Sequence, residues 1–206
     1  RGPAEHEPRR ERRPPMSFGA QRGWRDPSRW FGALAALGAL GFGVYVLGGL
    51  LTVALTPAPP GPQDPAPAFT VERLDGRPAA LADWSGQVRL LDFWATWCVG
   101  CIGATPRLNR LHAEYGPRGF SVVSLNQEPD DRPQVAKVVR ERDIAYPVLI
   151  DPGTVAAAYG VGALPTVVLV DADGIIRARH TGAIAESTLR REIEALLPRA
   201  PARDSN

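Results

Sequence analysis

Residues 30–55 contain no charged side chain, and this run separates two parts of the chain that need different surroundings. At about 1.5 Å per residue, a helix of this length crosses a hydrocarbon core of about 30 Å. We therefore expect one transmembrane helix at 30–55. A cleaved signal peptide is the alternative, but its apolar core usually has about 7–15 residues and ends at an A-x-A-like site. Ala54-Leu55-Thr56, followed by Pro57, fits such a site poorly.

Charges on the two sides of this run predict its orientation. Arg22, Arg25 and Arg29 directly precede it, and no basic residue follows it until Arg73. The positive-inside bias then places residues 1–29, a basic segment expected to be disordered, in the cytoplasm. The chain is predicted to be a single-pass protein of the bacterial inner membrane whose folded domain faces the periplasm. A formal net charge of +2 is too small to indicate a nucleic-acid surface.

The remaining sequence divides into a linker, a folded domain and a tail. Residues 56–68 contain six prolines and are expected to form an extended spacer. Residues 69–198 alternate between strand and helix patterns and form the predicted domain, and residues 199–206 are an expected disordered tail. About 135 residues can bury a core without a disulfide or a structural metal. The cysteines therefore need another explanation.

The domain begins with two turn signals, Asp75-Gly76 and Ser85-Gly86, which predict an N-terminal hairpin within 69–86. Strands are predicted at 88–93, 120–125, 148–150, 166–170 and 175–180, and helices at 101–115, 134–142, 154–159 and 185–197. Parallel crossovers followed by an antiparallel hairpin and a last helix predict an α/β sandwich with a mixed sheet.

Cys98 and Cys101 are the only cysteines, and they lie where a buried strand leads into a helix. The free N–H groups and the positive dipole end of that helix favour a thiolate on the first cysteine. Cys98 is therefore the expected nucleophile, and Cys101 the expected resolving thiol. Together they form the predicted redox disulfide.

Other uses of a C-x-x-C pair fit less well. A structural zinc site needs two further ligands, and the histidines are only His6, His112 and His180. A c-type haem attachment needs His where Ile102 stands. Copper would usually recruit methionine or histidine. A structural disulfide stays open as an alternative, although so short a loop stabilises a fold little. No metal and no cofactor are expected.

The stretch LLDFWATWCVGC at 90–101, followed by Pro106 and by ALPT at 163–166, resembles thioredoxin-fold oxidoreductases, and most of all the membrane-anchored TlpA/ResA-like type. The resemblance covers about residues 69–197. It implies a thioredoxin-like fold with an N-terminal hairpin and a βα insertion, for which residues 126–146 are available. It also implies a helix-kinking role for Pro106.

The resemblance assigns further site residues. Trp97 would cover the disulfide with an apolar face, although it could also be a packing residue. Leu164 and Pro165 match the family's cis-proline element, which with Thr166 offers a strand edge to the substrate. A plain trans turn is the alternative.

Asp92 interrupts an apolar strand six residues before Cys98, and a buried carboxylate is costly without a task. Thioredoxin has an Asp at the matching place, which implies proton exchange with the resolving cysteine. We therefore expect a pKa raised by burial and a role in accepting the Cys101 proton. Exposure to solvent or capping of a neighbour is the alternative.

Three positions depart from the common family pattern. Many TlpA/ResA-like members have Pro, a basic residue and Glu where this chain has Gly100, Ile102 and Ala104. Because Ala104 replaces that Glu, the proton-handling role of the Glu cannot be assigned to this chain. The departure also weakens the resemblance as support for apocytochrome c as a client. Asp92 is a candidate for the missing acid.

The predicted function is reduction of disulfides in extracytoplasmic clients, such as apocytochrome c in cytochrome c biogenesis or copper-site proteins. The family implies a membrane thiol donor of the DsbD/CcdA type, and residues 30–55 would contact the lipid bilayer. Two alternatives stay open: a non-catalytic tethered binding or chaperone module, and a thiol peroxidase on the same fold. The peroxidase needs a P-x-x-x-T-x-x-C setting that Cys98 lacks.

Overall fold

The computed structural model describes residues 37–48 and 58–198. Residues 37–48 form helix α1. Among the described residues, none of the helices has both the length and the apolar character needed to cross a bilayer. The rest of the predicted transmembrane segment 30–55, the basic segment 1–29 and the tail 199–206 lie outside the described residues.

Residues 58–198 form a folded unit, with strands and helices in alternation. Its strands are β1 (Thr70–Arg73), β2 (Pro78–Ala80), β3 (Val88–Trp94), β4 (Phe120–Asn126), β5 (Val148–Ile150), β6 (Thr166–Val170) and β7 (Ile176–Thr181). Its helices are α2 (Val99–Tyr115), α3 (Arg132–Glu141), α4 (Thr154–Ala158) and α5 (Glu186–Leu196), and short 3₁₀ turns cover Leu81–Trp84 and Gly116–Arg118.

The seven strands form one mixed sheet in the order β2-β1-β5-β4-β3-β6-β7. Strands β3, β4 and β5 are parallel, and the pairs β1/β2, β1/β5, β3/β6 and β6/β7 are antiparallel. The central strands β3 and β4 are buried along their full length, as expected for apolar strands covered on both faces.

Two layers of side chains cover this sheet. On one face, Leu90 of β3 packs with Leu108 of α2 and Leu189 of α5. On the other face, Phe93 packs with Trp84 and Tyr159. The sheet thus lies between α2, α3 and α5 on one side and α4 with the first 3₁₀ turn on the other, which confirms the predicted α/β sandwich.

Most predicted elements appear with small shifts at their ends. The predicted N-terminal hairpin is β1 paired with β2 in register from Thr70 to Glu72. The segment 126–146, predicted as an insertion, contains α3 and leads directly into β5. Helix α2 starts at Val99, two residues before the predicted start, because Cys98 itself is the N-cap. Pro106 lies inside α2, as expected.

The predicted spacer 56–68 differs from expectation in its described part. Gln63 N–H donates to Ile176 O (2.8 Å), Ile176 N–H donates to Asp64 O (2.9 Å), and Ala66 N–H donates to Gly174 O (2.8 Å). These bonds hold the segment against the β6–β7 hairpin, because the unpaired edge of β7 offers free backbone groups. The described part of the spacer is therefore bound to the domain through residues 63–66.

Candidate active site

Cys98 and Cys101 form a disulfide at the start of α2, with a Cα–Cα distance of 5.2 Å. Cys98 is the N-cap residue of this helix, and its Sγ accepts a hydrogen bond from the Cys101 N–H at 3.2 Å. Strand β3 ends at Trp94, so only four residues separate the buried strand from the helix. The geometry therefore places the first sulfur at the positive end of α2, where an anion is stabilised.

The Leu164–Pro165 peptide bond is cis, as predicted. It lies against the disulfide, since Leu164 packs on the apolar cluster that contains both cysteines. A Cβ atom placed on Gly100 would lie 3.5 Å from Pro165 Cδ, an ordinary van der Waals contact. The cis-proline loop and the turn between the cysteines thus form one surface.

The other predicted substrate-contact residues divide between that surface and the interior. Trp97 is 70% exposed, and Val99, beyond the first cysteine, is 86% exposed. A contiguous exposed apolar patch is typical of a surface that contacts another protein. Thr166 is buried instead, and its hydroxyl donates to Ala163 O (2.7 Å) and lies 3.0 Å from the Thr181 hydroxyl. Its side chain therefore holds the cis-proline loop from the inside, and its backbone lies between β3 and β7 in the sheet.

The loop before Cys98 is held by a carboxylate that the sequence analysis did not single out. Glu128 accepts hydrogen bonds from the Thr96 N–H and from the Thr96 hydroxyl. Its own N–H donates to Asn126 Oδ1 at 2.8 Å. Thr96 follows β3 and Glu128 follows β4, two parallel neighbours whose carboxyl ends meet at one edge of the sheet. In the sequence, the available signal for this contact was a polar residue shortly after each of two buried strands.

Asp92 lies on the face of β3 that carries α2. Side chains alternate along a strand, so Asp92 shares a face with Leu90 and Trp94. Leu90 packs against Leu108 of α2, and Trp94 packs with the two cysteines. Asp92 is 5% exposed and therefore lies beneath α2, between the main core and the disulfide.

Burial raises the pKa of Asp92 to about 7, and the Arg107 guanidinium opposes that rise. In the described part of the chain, no hydrogen bond contributes to this pKa. The predicted direction and its cause are both confirmed. A carboxyl with this pKa gains and loses a proton near neutral pH, as a general acid or base must.

Three hydroxyl groups near Asp92 were also not singled out. Ser124 of β4 pairs with Asp92 in register, is fully buried, and has no hydrogen-bond partner for its Oγ in the described structure. Tyr146 is 5% exposed; its pKa is raised by burial and by the Asp92 charge, and Thr105 forms a hydrogen bond with it. The register of β3 and β4 brings Ser124 to Asp92, and tertiary packing brings Tyr146 and Thr105 near it; a sequence pattern shows neither.

No metal centre emerges from residues 37–48 and 58–198, because no three His, Cys, Asp or Glu side chains in these ranges are placed to hold an ion. His112 serves the fold, since its Nδ1 accepts the Val122 N–H at 3.2 Å and its ring packs edge-on against Tyr146.

Comparison with known proteins agrees with this geometry. A family model described as the AhpC/TSA family matches residues 62–179. The thiol-disulfide oxidoreductase ResA of Geobacillus thermodenitrificans is 33% identical over 135 residues, which cover 65% of this chain and 76% of that protein.

Solved structures give the same result. A putative thiol:disulfide interchange protein DsbE from Chlorobium tepidum matches with a TM-score of 0.63 and 31% identity, over 66% of this chain and 98% of that one. A secreted Mycobacterium tuberculosis disulfide oxidoreductase homologous to E. coli DsbE matches with a TM-score of 0.56 and 26% identity, over 62% of this chain and 96% of that one. The chain therefore belongs to the AhpC/TSA family of thioredoxin-fold proteins, and within it is a thiol-disulfide oxidoreductase of the ResA/DsbE type that carries the Cys98–Cys101 pair.

Proposed function

We propose that this enzyme is a membrane-anchored reductase of disulfides in extracytoplasmic client proteins. The observation that carries the proposal is the position of Cys98, whose sulfur caps α2 beside the cis-proline loop. An acceptor position at a helix N-terminus lowers the pKa of a thiol and makes its anion available for attack.

The first step is attack on the client. The Cys98 thiolate displaces one sulfur of the client disulfide, so a Cys98–client bond forms and one client thiolate leaves. The exposed apolar side chains of Trp97 and Val99 and the backbone beside Pro165 supply the surface for this encounter. Leu164 and Thr166 hold that backbone in place.

The second step releases the client. Cys101 gives its proton to the Asp92 carboxylate, and its sulfur attacks Cys98. The Cys98–Cys101 bond forms, the second client thiolate leaves, and the client has gained two electrons. Asp92 lies under α2 with a pKa near the pH at which the step must run, which supports this assignment.

A donor must then return two electrons to the disulfide. A membrane thiol donor of the DsbD/CcdA type is the proposed source, with apocytochrome c or copper-site proteins as clients. The chain's uncharged run at 30–55 is the proposed anchor, with the arginine-rich segment 1–29 on the cytoplasmic side and the domain in the periplasm. The Mycobacterium tuberculosis relative is a secreted protein, which is compatible with an outer location for this domain.

A trapping experiment with the whole chain tests this proposal. Cys101→Ser should accumulate mixed disulfides with client proteins in cells, because no thiol is left at position 101 to attack the Cys98 sulfur and displace the client. Cys98→Ser should reduce neither insulin nor a client disulfide. Since the chain has no other cysteine, the Cys98→Ser/Cys101→Ser double variant is a matched control that must trap nothing.

Three outcomes would contradict the proposal. Full activity of Cys98→Ser in cells would indicate a non-catalytic binding module. Failure of Cys101→Ser to capture any client would point the same way. Rapid consumption of peroxide by the reduced enzyme would favour the peroxidase alternative, although Leu91 and Ala95 stand where a peroxidatic motif has Pro and Thr.

A further inference from the structure

Residues 59–67, here termed the strap, lie along the outer edge of β7 and also contact the cis-proline loop, residues 160–165. The middle of the strap is bonded to the β6–β7 hairpin through the backbone groups of residues 63–66. The Arg177 guanidinium adds a bond to Gln63 Oε1 at 2.6 Å. The strap thus covers an edge strand that would otherwise present unpaired N–H and C=O groups. Both ends of the strap make further contacts, and these contacts lie at the start of the loop.

The start of the cis-proline loop is bonded to both ends of the strap. At one end, the Arg179 guanidinium of β7 donates to Pro60 O (3.0 Å) and to Gly160 O (3.4 Å). At the other end, the hydroxyl of Tyr159, the residue before the loop, donates to Pro67 O at 2.9 Å. A guanidinium is a rigid fork, so Arg179 fixes the two carbonyl groups that it binds relative to each other.

Steric contact between Pro59 and Gly160 adds to this junction. Gly160 has a φ of +62°, and an added Cβ atom would overlap with Pro59 Cβ and lie 2.9 Å from Pro59 Cγ. The Pro59 ring therefore fills the space in which any other residue at position 160 would place its side chain. Ala66 of the strap and Leu164 of the loop also pack against the same apolar cluster, so both segments rest on one part of the core.

The loop leaves the backbone of one residue unpaired next to the disulfide. At the far end of the loop, the Thr166 hydroxyl donates to Ala163 O (2.7 Å) and the Gly182 N–H donates to Pro165 O (2.8 Å). Between these bonds, neither the N–H nor the C=O of Leu164 has a hydrogen-bond partner among the described residues. An extended client segment can pair with such groups.

We propose that the strap positions the cis-proline loop for binding of a client protein, through the Pro59–Gly160 contact and the Arg179 bridge. This inference rests on the proposed function, in which a client docks on that loop. A client binds the loop in one conformation, so a loop that already has this conformation loses less entropy on binding. Pro59, Gly160 and Arg179 are positioning residues, because they act through the loop and touch neither the client nor the sulfur atoms.

The test compares a protein disulfide with a small one, on the whole reduced chain. Insulin must fit its chain against the loop, whereas 5,5′-dithiobis(2-nitrobenzoate) needs little more than the Cys98 sulfur. In Arg179→Met the bridge between strap and loop is lost, so the rate constant for reduction of insulin should fall about 3- to 10-fold. The rate constant with the small disulfide should stay native, which also shows that the variant is folded. Arg110→Met, which removes an ion pair with Glu186, is the control and should change neither rate constant.

A steric swap separates displacement of the strap from strain in the loop. Gly160→Ala should lower the insulin rate constant by a similar factor, because its Cβ displaces Pro59. Pro59→Gly/Gly160→Ala removes the overlapping atoms and leaves the Cα of residue 59 at 3.5 Å, so it should recover most of that loss. Gly153→Ala is the control for backbone strain, since Gly153 has a φ of +93° and an added Cβ there meets nothing within 4 Å. Its insulin rate constant should stay native.

Three results would overturn the inference. An equal loss with insulin and with the small disulfide in Arg179→Met would mean that the change acts on the cysteines. Native insulin kinetics in both Arg179→Met and Gly160→Ala would mean that the loop needs no strap. If Pro59→Gly does not relieve Gly160→Ala, strain in the loop and not the strap causes the loss. The proposed function fails on a different result, namely that Cys101→Ser with an intact strap traps no client.

Discussion

Asp92 lies on β3 and Asp171 directly follows β6. Both carboxyls are buried, yet their pKa values move in opposite directions. Asp92 is 5% exposed and Asp171 is 7% exposed. Burial raises the pKa of Asp171 as well, but hydrogen bonds from the Ile175 N–H, the Arg177 guanidinium and the Asp173 N–H outweigh it and bring the pKa below its ordinary value. Asp92 has only the opposing charge of Arg107, and its pKa rises to about 7.

The difference shows that burial alone does not decide what a carboxyl does. Three donors at 2.6–3.0 Å fix Asp171 as an anion that closes the β6–β7 turn. Asp92 lacks such donors in the described structure and can change its charge near neutral pH. One residue therefore stabilises the fold, whereas the other is available for proton transfer beneath the disulfide.

Asp92→Asn should have the largest effect. If Asp92 accepts the Cys101 proton, its loss should slow release of the client from Cys98 by about 100-fold or more, the usual contribution of a positioned base. Release of the coloured thiolate from a mixed disulfide of Cys98 with 5-thio-2-nitrobenzoate measures this rate, and its pH dependence through pH 7 should disappear. A decrease of less than threefold would mean that Asp92 is only a buried side chain.

The same substitution should increase stability at alkaline pH. The folded protein binds the Asp92 proton up to about pH 7, whereas the unfolded chain releases it near the model value of 3.8. Between these values the folded state holds more protons, so the free energy of unfolding of the native protein falls as pH rises. Asp92→Asn removes this dependence and should be more stable than the native protein at pH 8, by on the order of 2 kcal/mol. Near pH 4 the two should be equal, as urea unfolding at both pH values would check.

Asp171→Asn should act in the opposite direction and leave activity unchanged. An amide oxygen is a weaker acceptor than a carboxylate for the donors of Ile175, Arg177 and Asp173, so we expect a loss of about 1–2 kcal/mol at pH 7. Because the folded pKa of Asp171 is lowered, its stabilisation is complete above the unfolded pKa and is lost as pH falls through the folded one. A native rate of client release would confirm that this carboxyl is structural, and a slow one would break the contrast with Asp92.

Sequence patterns predicted the sandwich, the redox pair and the buried Asp92, since each depends on local apolar runs or on the spacing of two cysteines. They did not indicate the contact of residues 58–66 with β7. A proline-rich pattern predicts an extended chain whether or not that chain contacts the domain. Ser124 and Tyr146 were also missed, since strand register brings the first to Asp92 and packing of the segment before β5 brings the second. Glu128 and Thr96 were not recognised because their contact joins the ends of two strands 32 residues apart.

Arg107→Gln should give the smallest effect and sharpen the comparison most. Arg107 is the charge that opposes the rise in the pKa of Asp92, so its removal should raise that pKa further. We expect the midpoint of the release profile to move up by about 0.5 pH unit, which slows release about threefold at pH 6 and leaves it unchanged at pH 9. Arg110→Gln is the control, because Arg110 lies on the same helix but pairs with Glu186. The Arg107 charge would limit the pKa of Asp92 to about 7, much as the three donors keep the pKa of Asp171 below its ordinary value. In that case only Arg107→Gln should shift the release profile. A downward shift, or an equal shift in both variants, would mean that the guanidinium acts through the packing of α2 and not through the charge of Asp92.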